Sequence, residues 1–353
     1  MSNLVKALGR RADSLLTPLN AHPRHTLFVS WLIAIGTVVV IASTDGTRAI
    51  LHAIGHLQPL WLIPAVAAEA AAYAGYVAAY RSSAYAPERQ PLPLRLTLRL
   101  VVAGFGPFVA RGGFSLDRQC LAALHGDERA ARVHVLGLGI VEYALLAPAA
   151  WLCALIMLLE GQHASLALTL PWVIGVPVGF VIAIWISHPQ RRGRWEHGRG
   201  WLRELRCDVL AGLDILRRIA AQPRAYCGAI LGMGVYWAAE IACLGFSLRC
   251  FGVELGVPAL VVAHATGYAA SRRSLPLGGA GVTEAMLTLA LVWVHVPAPS
   301  ALAGVAAYRL VNFLAASLPA LPAHASVRDM VARQAREASR RAAARRRSQS
   351  LLP

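Results

Sequence analysis

The chain has 353 residues, 57% of them hydrophobic and only 15% charged, with a formal net charge of +16. That balance excludes a disordered chain and leaves no room for a large soluble enzyme domain. It points instead to one integral membrane domain of several apolar segments. Nearly all the positive charge is arginine, Lys6 being the only lysine. With this hydrophobicity the expected partner is anionic lipid rather than nucleic acid.

Residues 1–25 form a basic cytoplasmic arm with Lys6, Arg10, Arg11 and Arg24. The arm has no short apolar core ahead of a cleavage site, so the first apolar segment is expected to stay in the membrane. That segment is Thr26–Ser43, free of charge. Pro59–Tyr80 is the second span, with Glu69 inside it. Prolines 87, 91 and 93 then interrupt any helix.

Leu94–Leu124 reads as two short apolar pieces joined by GFGPFVARGGFS at 104–115. Neither piece reaches the roughly 20 residues of a full crossing. Val133–Leu159 is a long span with Glu142 inside, and Leu166–Ser187 follows it. Residues 188–224 form the main polar segment. Its Leu202, Leu205, Val209, Leu213 and Leu216 follow helical spacing, which predicts an amphipathic helix on the membrane surface or, second, a partner-binding one. Ala225–Leu248 is a span with Glu240 inside.

Pro258–Ala270 and Ala280–Val296 are again two short pieces, joined by SRRSLPLGG at 271–279. Pro276 and the glycines at 278, 279 and 281 predict a helix break, with free N–H groups at the start of the next helix. Such a helix start beside Arg272 and Arg273 suits an anion, although a basic loop would share the composition. Ser300–Pro322 is the last span, with Arg309 and Asn312. Residues 324–353 are a basic tail, expected to be disordered on anionic lipid. The integral domain is thus 26–323, in halves 26–165 and 166–323.

If each pair of short pieces is a re-entrant hairpin, six full spans remain and both termini share one side. Almost all Lys and Arg then fall on that side. The other side keeps only Arg48 and Arg249, while Arg111, Arg272, Arg273 and Arg309 stay at membrane depth. Positive charge marks the cytoplasmic face, so both termini are expected there. The fold expected is therefore an all-α polytopic membrane protein, its halves an inverted repeat. The hairpin tips carry matching residues: Pro107, Arg111, Gly112 and Gly113 in one; Arg272, Arg273, Pro276, Gly278 and Gly279 in the other.

Arginine at membrane depth is costly and needs a reason. One reason is pairing with Glu69, Glu142, Glu240 or Glu284, with Glu284–Arg309 the favoured pair. The other is a phosphate-bearing substrate held in a bidentate fork. Glu142 and Glu240 could carry protons, or could simply be hydrogen-bonded to neighbouring helices. His134 and His264 read as structural. The cysteines 120, 153, 207, 227, 243 and 250 read as packing residues, and neither a cofactor nor a metal is expected.

LPLGGAGVTEAMLTLAL, followed by AGVAAYRLVNFLAASLPAL, resembles the lysylphosphatidylglycerol synthase transmembrane family, the flippase-like integral membrane proteins. Pro276, Gly278, Gly279, Gly281, Val282, Glu284, Ala285 and Arg309 fill that family's C-terminal pattern. FGPFVARGGFSLDR matches its first Gly-rich element more loosely, and Thr283 departs from the residue many relatives carry. The resemblance implies a protein of the cell inner membrane that moves an anionic or aminoacylated phospholipid between leaflets. The synthases add a soluble aminoacyl-transferase domain that thirty residues after the last span could not hold, so synthase activity is not expected, and with no catalytic constellation in the sequence the chain reads as a transporter rather than an enzyme. The alternatives are a membrane enzyme acting on a lipid phosphate, for which no nucleophile or aspartate pattern is present, and a regulatory lipid-binding protein. Oligomeric state is left open.

Overall fold

The computed structural model describes residues 22–45, 55, 57–82, 92–106, 113–125, 127–161, 164–186, 188, 201–268 and 276–350. They form helices and turns with no strand among them. Among the described residues, six helical stretches are long and apolar enough to cross a membrane: Pro23–Ser43, Pro59–Arg81, Ala131–Leu159, Leu166–Ile186, Cys227–Arg249 and Ala298–Gln334. They coincide with the six spans expected from the apolar runs, and the chain is a multi-pass membrane protein.

α1 (Pro23–Asp45) leads into a short 3₁₀ turn at Pro59–Trp61 and then α2 (Leu62–Arg81). α3 (Leu94–Gly104) and α4 (Gly113–His125) are the first pair of short helices, followed by the long α5 (Glu128–Leu159). α6 (Leu166–Ile186), α7 (Trp201–Ala221) and α8 (Cys227–Arg249) come next. The second short pair is α9 (Val257–Gly267) and α10 (Val282–Trp293). α11 (Ala298–Arg309), a π-helical turn at Leu310–Ala315 and α12 (Ala316–Ser350) complete the chain.

Length separates the two kinds of helix. The 21 residues of α6 span about 31 Å, which matches a hydrocarbon core. Its Ile174, Val178, Phe180, Val181, Ile184 and Trp185 are exposed, as a lipid-facing helix requires. The 11 residues of α3 and of α9 span only about 17 Å each. Each packs on its partner of the pair, α3 on α4 and α9 on α10.

The centre of the domain is α2 against α8. Gln58 N–H donates to the Cys250 carbonyl at one end, 2.8 Å, and Trp61 stacks on Phe246 there. Gly228 faces Ser82 at the other end, so the two helices run antiparallel over their whole lengths. Midway, Gly75 and Gly232 meet backbone to backbone. A Cβ on Gly75 would lie 2.6 Å from the Gly232 carbonyl oxygen, and one on Gly232 would lie 2.5 Å from Ala79 N. Only glycine permits this approach, the usual device where lipid supplies no hydrophobic drive between helices.

One expectation is met in part and one needs correction. α7 is amphipathic, but it buries Leu210 and Ile215 against the protein while Val209 is 42% exposed. It docks on α5, with Gly212 against Ile140. The side chains of Leu202 and Leu205 lie outside the described residues. The tail, expected to be disordered, is helical as far as Ser350. Alanine and arginine are strong helix formers, and no proline or glycine follows Pro322 before Ser350. Val327, Met330 and Val331 form a helical stripe that joins the core beneath α3, and Arg99 reaches across to Ser326 Oγ at 3.2 Å.

Candidate functional site

The expected helix break is present. Leu277, Gly278, Gly279 and Gly281 all have positive φ, at 55°, 64°, 71° and 85°. A left-handed Leu277 costs about 1–2 kcal/mol, so neighbouring contacts must hold the turn. Glu284, in the first turn of α10, supplies them. One of its oxygens accepts the Gly281 N–H at 2.7 Å and the other accepts Arg309 Nε at 2.7 Å. α1 covers the turn from outside: a Cβ on Gly281 would sit 3.1 Å from Ile33 and 3.2 Å from Thr37.

The Glu284–Arg309 pair expected from the sequence is therefore formed, with side chains 0% and 3% exposed. Arg309 spends its other donors on the protein too. Its Nη1 donates to Asn312 Oδ1 at 3.3 Å, its Nη2 reaches the Gly278 carbonyl at 3.5 Å, and the Phe313 ring lies 4.0 Å from its Cζ. Arg309 is thus a brace for the turn. The π-helical turn that begins at Leu310 contains Asn312 and Phe313, both buried; π-turns of this kind recur at functional sites.

Asn312 connects the pair to a second cluster. Its Nδ2 donates to Glu240 Oε2 at 3.0 Å, and Tyr308 donates its hydroxyl to the same oxygen at 2.7 Å. His264 Nε2 lies 3.4 Å from the Tyr308 hydroxyl. His264 stacks on Tyr268, which meets Trp237 edge-on. Trp237 donates to the Glu142 carbonyl at 2.7 Å, and Tyr76 donates to the Glu142 carboxylate at 3.3 Å. Glu69 is buried on α2, and the Tyr308 hydroxyl lies within its electrostatic reach. Both mid-span carboxylates, Glu142 and Glu240, are hydrogen-bonded to neighbouring helices.

Away from this network a groove of about 950 Å³ opens between α4, α5, α6 and α7. Its walls are apolar and pared down to glycine and alanine at Gly139, Ala147, Gly175 and Gly179. Ser115, Arg118 and the Arg132–Asp208 ion pair stand at one end. Pro148 stands at the other, so the groove follows seventeen residues of α5, about 24 Å.

Of the residues singled out from the sequence, Gly278, Gly279, Gly281, Glu284 and Arg309 come together with Pro276 at the start of their turn. Glu240 joins them through Asn312. Gly113 is the first residue of α4 and stands beside the groove residue Phe114. Pro107, Arg111, Gly112, Arg272 and Arg273 lie outside the described residues. The sequence reading missed Tyr308 and Asn312 as partners of Glu240, His264 beside the Tyr308 hydroxyl, and Arg118 and Arg132 as groove residues. Among the described residues no group of three or more His, Cys, Asp or Glu is placed to hold a metal ion.

No curated protein matches the chain. The sequence profile described as the lysylphosphatidylglycerol synthase TM region matches residues 27–320. Six membrane-length helices, the braced Gly-rich turn and a match across most of the chain lead to one conclusion: this protein belongs to the lysylphosphatidylglycerol synthase transmembrane-region family.

Proposed function

We propose that the chain moves an anionic or phosphate-bearing lipid between the leaflets of the cell inner membrane. The observation that carries this reading is the groove between α4, α5, α6 and α7. Its long apolar trough suits an acyl chain, and its arginine-bearing end suits an anionic headgroup.

In this reading α3–α4 and α9–α10 are re-entrant hairpins from opposite faces. The halves of the chain are an inverted repeat with both termini cytoplasmic, as the charge distribution favours. The antiparallel contact of α2 with α8, reciprocal at Gly75 and Gly232, supports the repeat. A two-fold axis in the membrane plane would relate two equivalent helices in that way. The tips would then receive the headgroup. Arg111, Gly112 and Gly113 serve on one side; Arg272, Arg273, Pro276, Gly278, Gly279 and Gly281 serve on the other, through guanidinium groups and backbone N–H groups. Glu284 and Arg309 keep the second tip in shape. The chain acts as a transporter, not an enzyme.

The test is leaflet exchange of labelled phosphatidylglycerol in vesicles reconstituted with the purified chain. Exchange well above protein-free vesicles is expected. Binding without exchange would make it a regulatory lipid binder, and a chemically altered lipid would make it an enzyme; either result overturns the proposal.

A further inference from the structure

α4 and α5 fold back on each other, and a Cβ on Gly139 would lie 3.6 Å from the Phe114 ring. Arg118 is about four residues along α4 from that contact, and Arg132 is about seven residues back along α5. Both therefore lie on the side of the turn that joins the two helices. At 1.5 Å per residue their positions differ by only about 5 Å along the groove that both line. One phosphate group can touch both guanidinium groups at that spacing.

Asp208 of α7 lines the same groove and holds Arg132 as an ion pair. The two side chains are 32% and 38% exposed, so the pair meets the groove and water rather than the packed core. Arg118 is exposed and makes no ion pair among the described residues. The charged residues among those that line the groove are Arg118, Arg132 and Asp208, two positive and one negative. Carboxylate and phosphate oxygens offer a guanidinium the same kind of acceptor. A half-exposed ion pair is also weak enough to be exchanged for another anion.

We propose that Asp208 is the resident anion of the groove's headgroup end: the lipid phosphate takes its place on Arg132, and its charge confines the site to monoanionic phosphodiester headgroups. The proposal rests on the lipid-transport reading and deepens it. Without lipid, Asp208 offsets a guanidinium that stands against an apolar wall. With lipid, the phosphate lies between Arg118 and Arg132, and Asp208 turns to water at the rim. Two arginines and one aspartate balance a single negative charge. A phosphomonoester carries nearly two in mildly alkaline buffer, and the second meets the Asp208 carboxylate with no cation to take it. The cost of displacing Asp208 also keeps the lipid from being held too tightly to leave.

The experiment uses the full-length purified protein in detergent at mildly alkaline pH. Calorimetry reads the binding of short-chain phosphatidylglycerol, a monoanion, and of short-chain phosphatidic acid, close to a dianion. Wild type is expected to bind phosphatidylglycerol the more tightly. Asp208→Asn is expected to bind phosphatidylglycerol about threefold more tightly than wild type, and to gain by a larger factor with phosphatidic acid. Asp208→Glu keeps the charge and is expected to restore the wild-type order of the two lipids. Arg132→Gln leaves no guanidinium to compete for, so adding Asp208→Asn to it is expected to change phosphatidylglycerol affinity by less than about 1.5-fold. Melting curves establish that each variant is folded. An unchanged or weaker phosphatidylglycerol affinity in folded Asp208→Asn overturns the proposal and leaves lipid transport standing. An equal gain with and without Arg132 overturns the displacement. Tighter binding of phosphatidic acid by wild type overturns the selection, whatever the variants do. If wild type binds no phosphatidylglycerol, the proposal and the reading beneath it fall together.

Discussion

Glu284 and Arg309 close a buried ion pair in which the carboxylate that takes Arg309 Nε also takes the Gly281 N–H. One acid therefore ties the last span to the Gly-rich turn. Removing one member of such a pair leaves a charge in the core and costs about 3–5 kcal/mol. Arg309→Met alone should destabilise the chain by that much. Glu284→Gln combined with Arg309→Met should cost clearly less than the two single changes summed. Thermal melting of the four proteins in detergent checks this; additive losses would mean that the pair does not act as a unit.

Gly75→Val and Gly232→Val push a side chain into opposing backbone, which cannot swing aside as a flexible side chain can. A loss of about 2–3 kcal/mol is expected for each. Gly36→Ala on α1, where an added Cβ meets nothing within 4 Å, should stay within about 0.5 kcal/mol of wild type. Melting curves for the three variants separate the two classes.

The groove can be filled without disturbing the fold. Gly175 lines it, and an added Cβ there meets nothing within 4 Å. Gly175→Leu should leave the melting temperature close to wild type while leaflet exchange of phosphatidylglycerol falls at least about tenfold, the effect of losing roughly 1.4 kcal/mol of transition-state stabilisation. Exchange at the wild-type rate would show that lipid travels elsewhere.

Val327 is 1% exposed although it lies in the arginine-rich C-terminal region. Val327→Ala should cost on the order of 2 kcal/mol, whereas Arg340→Ala, at an exposed position further along α12, should cost almost nothing. Expression level and detergent melting are the readouts.

The spans were legible because long uncharged runs admit few other structures. The break before α10 was legible because proline and clustered glycines rarely share a helix. Glu284 and Arg309 were legible as opposite charges on adjacent apolar segments. The partners of Glu240 were not. Tyr308 and Asn312, with His264 behind Tyr308, are polar residues that barely disturb an apolar run, and only folding brings α8, α9 and α11 together. The groove was hidden for another reason: it is made by what Gly139, Ala147, Gly175 and Gly179 lack. On α12, a stripe of Val327, Met330 and Val331 was masked by the arginines around it.

The π-helical turn at Leu310–Ala315 sets the angular phase of everything after it. Each residue of a regular helix advances about 100°. Deleting one residue from that turn would swing the C-terminal rod by roughly that angle and carry Val327 off the flank of α3. The wide turn thus works as a spline between two shafts, clocking the arginine-bearing end of the molecule to the residues that hold its centre.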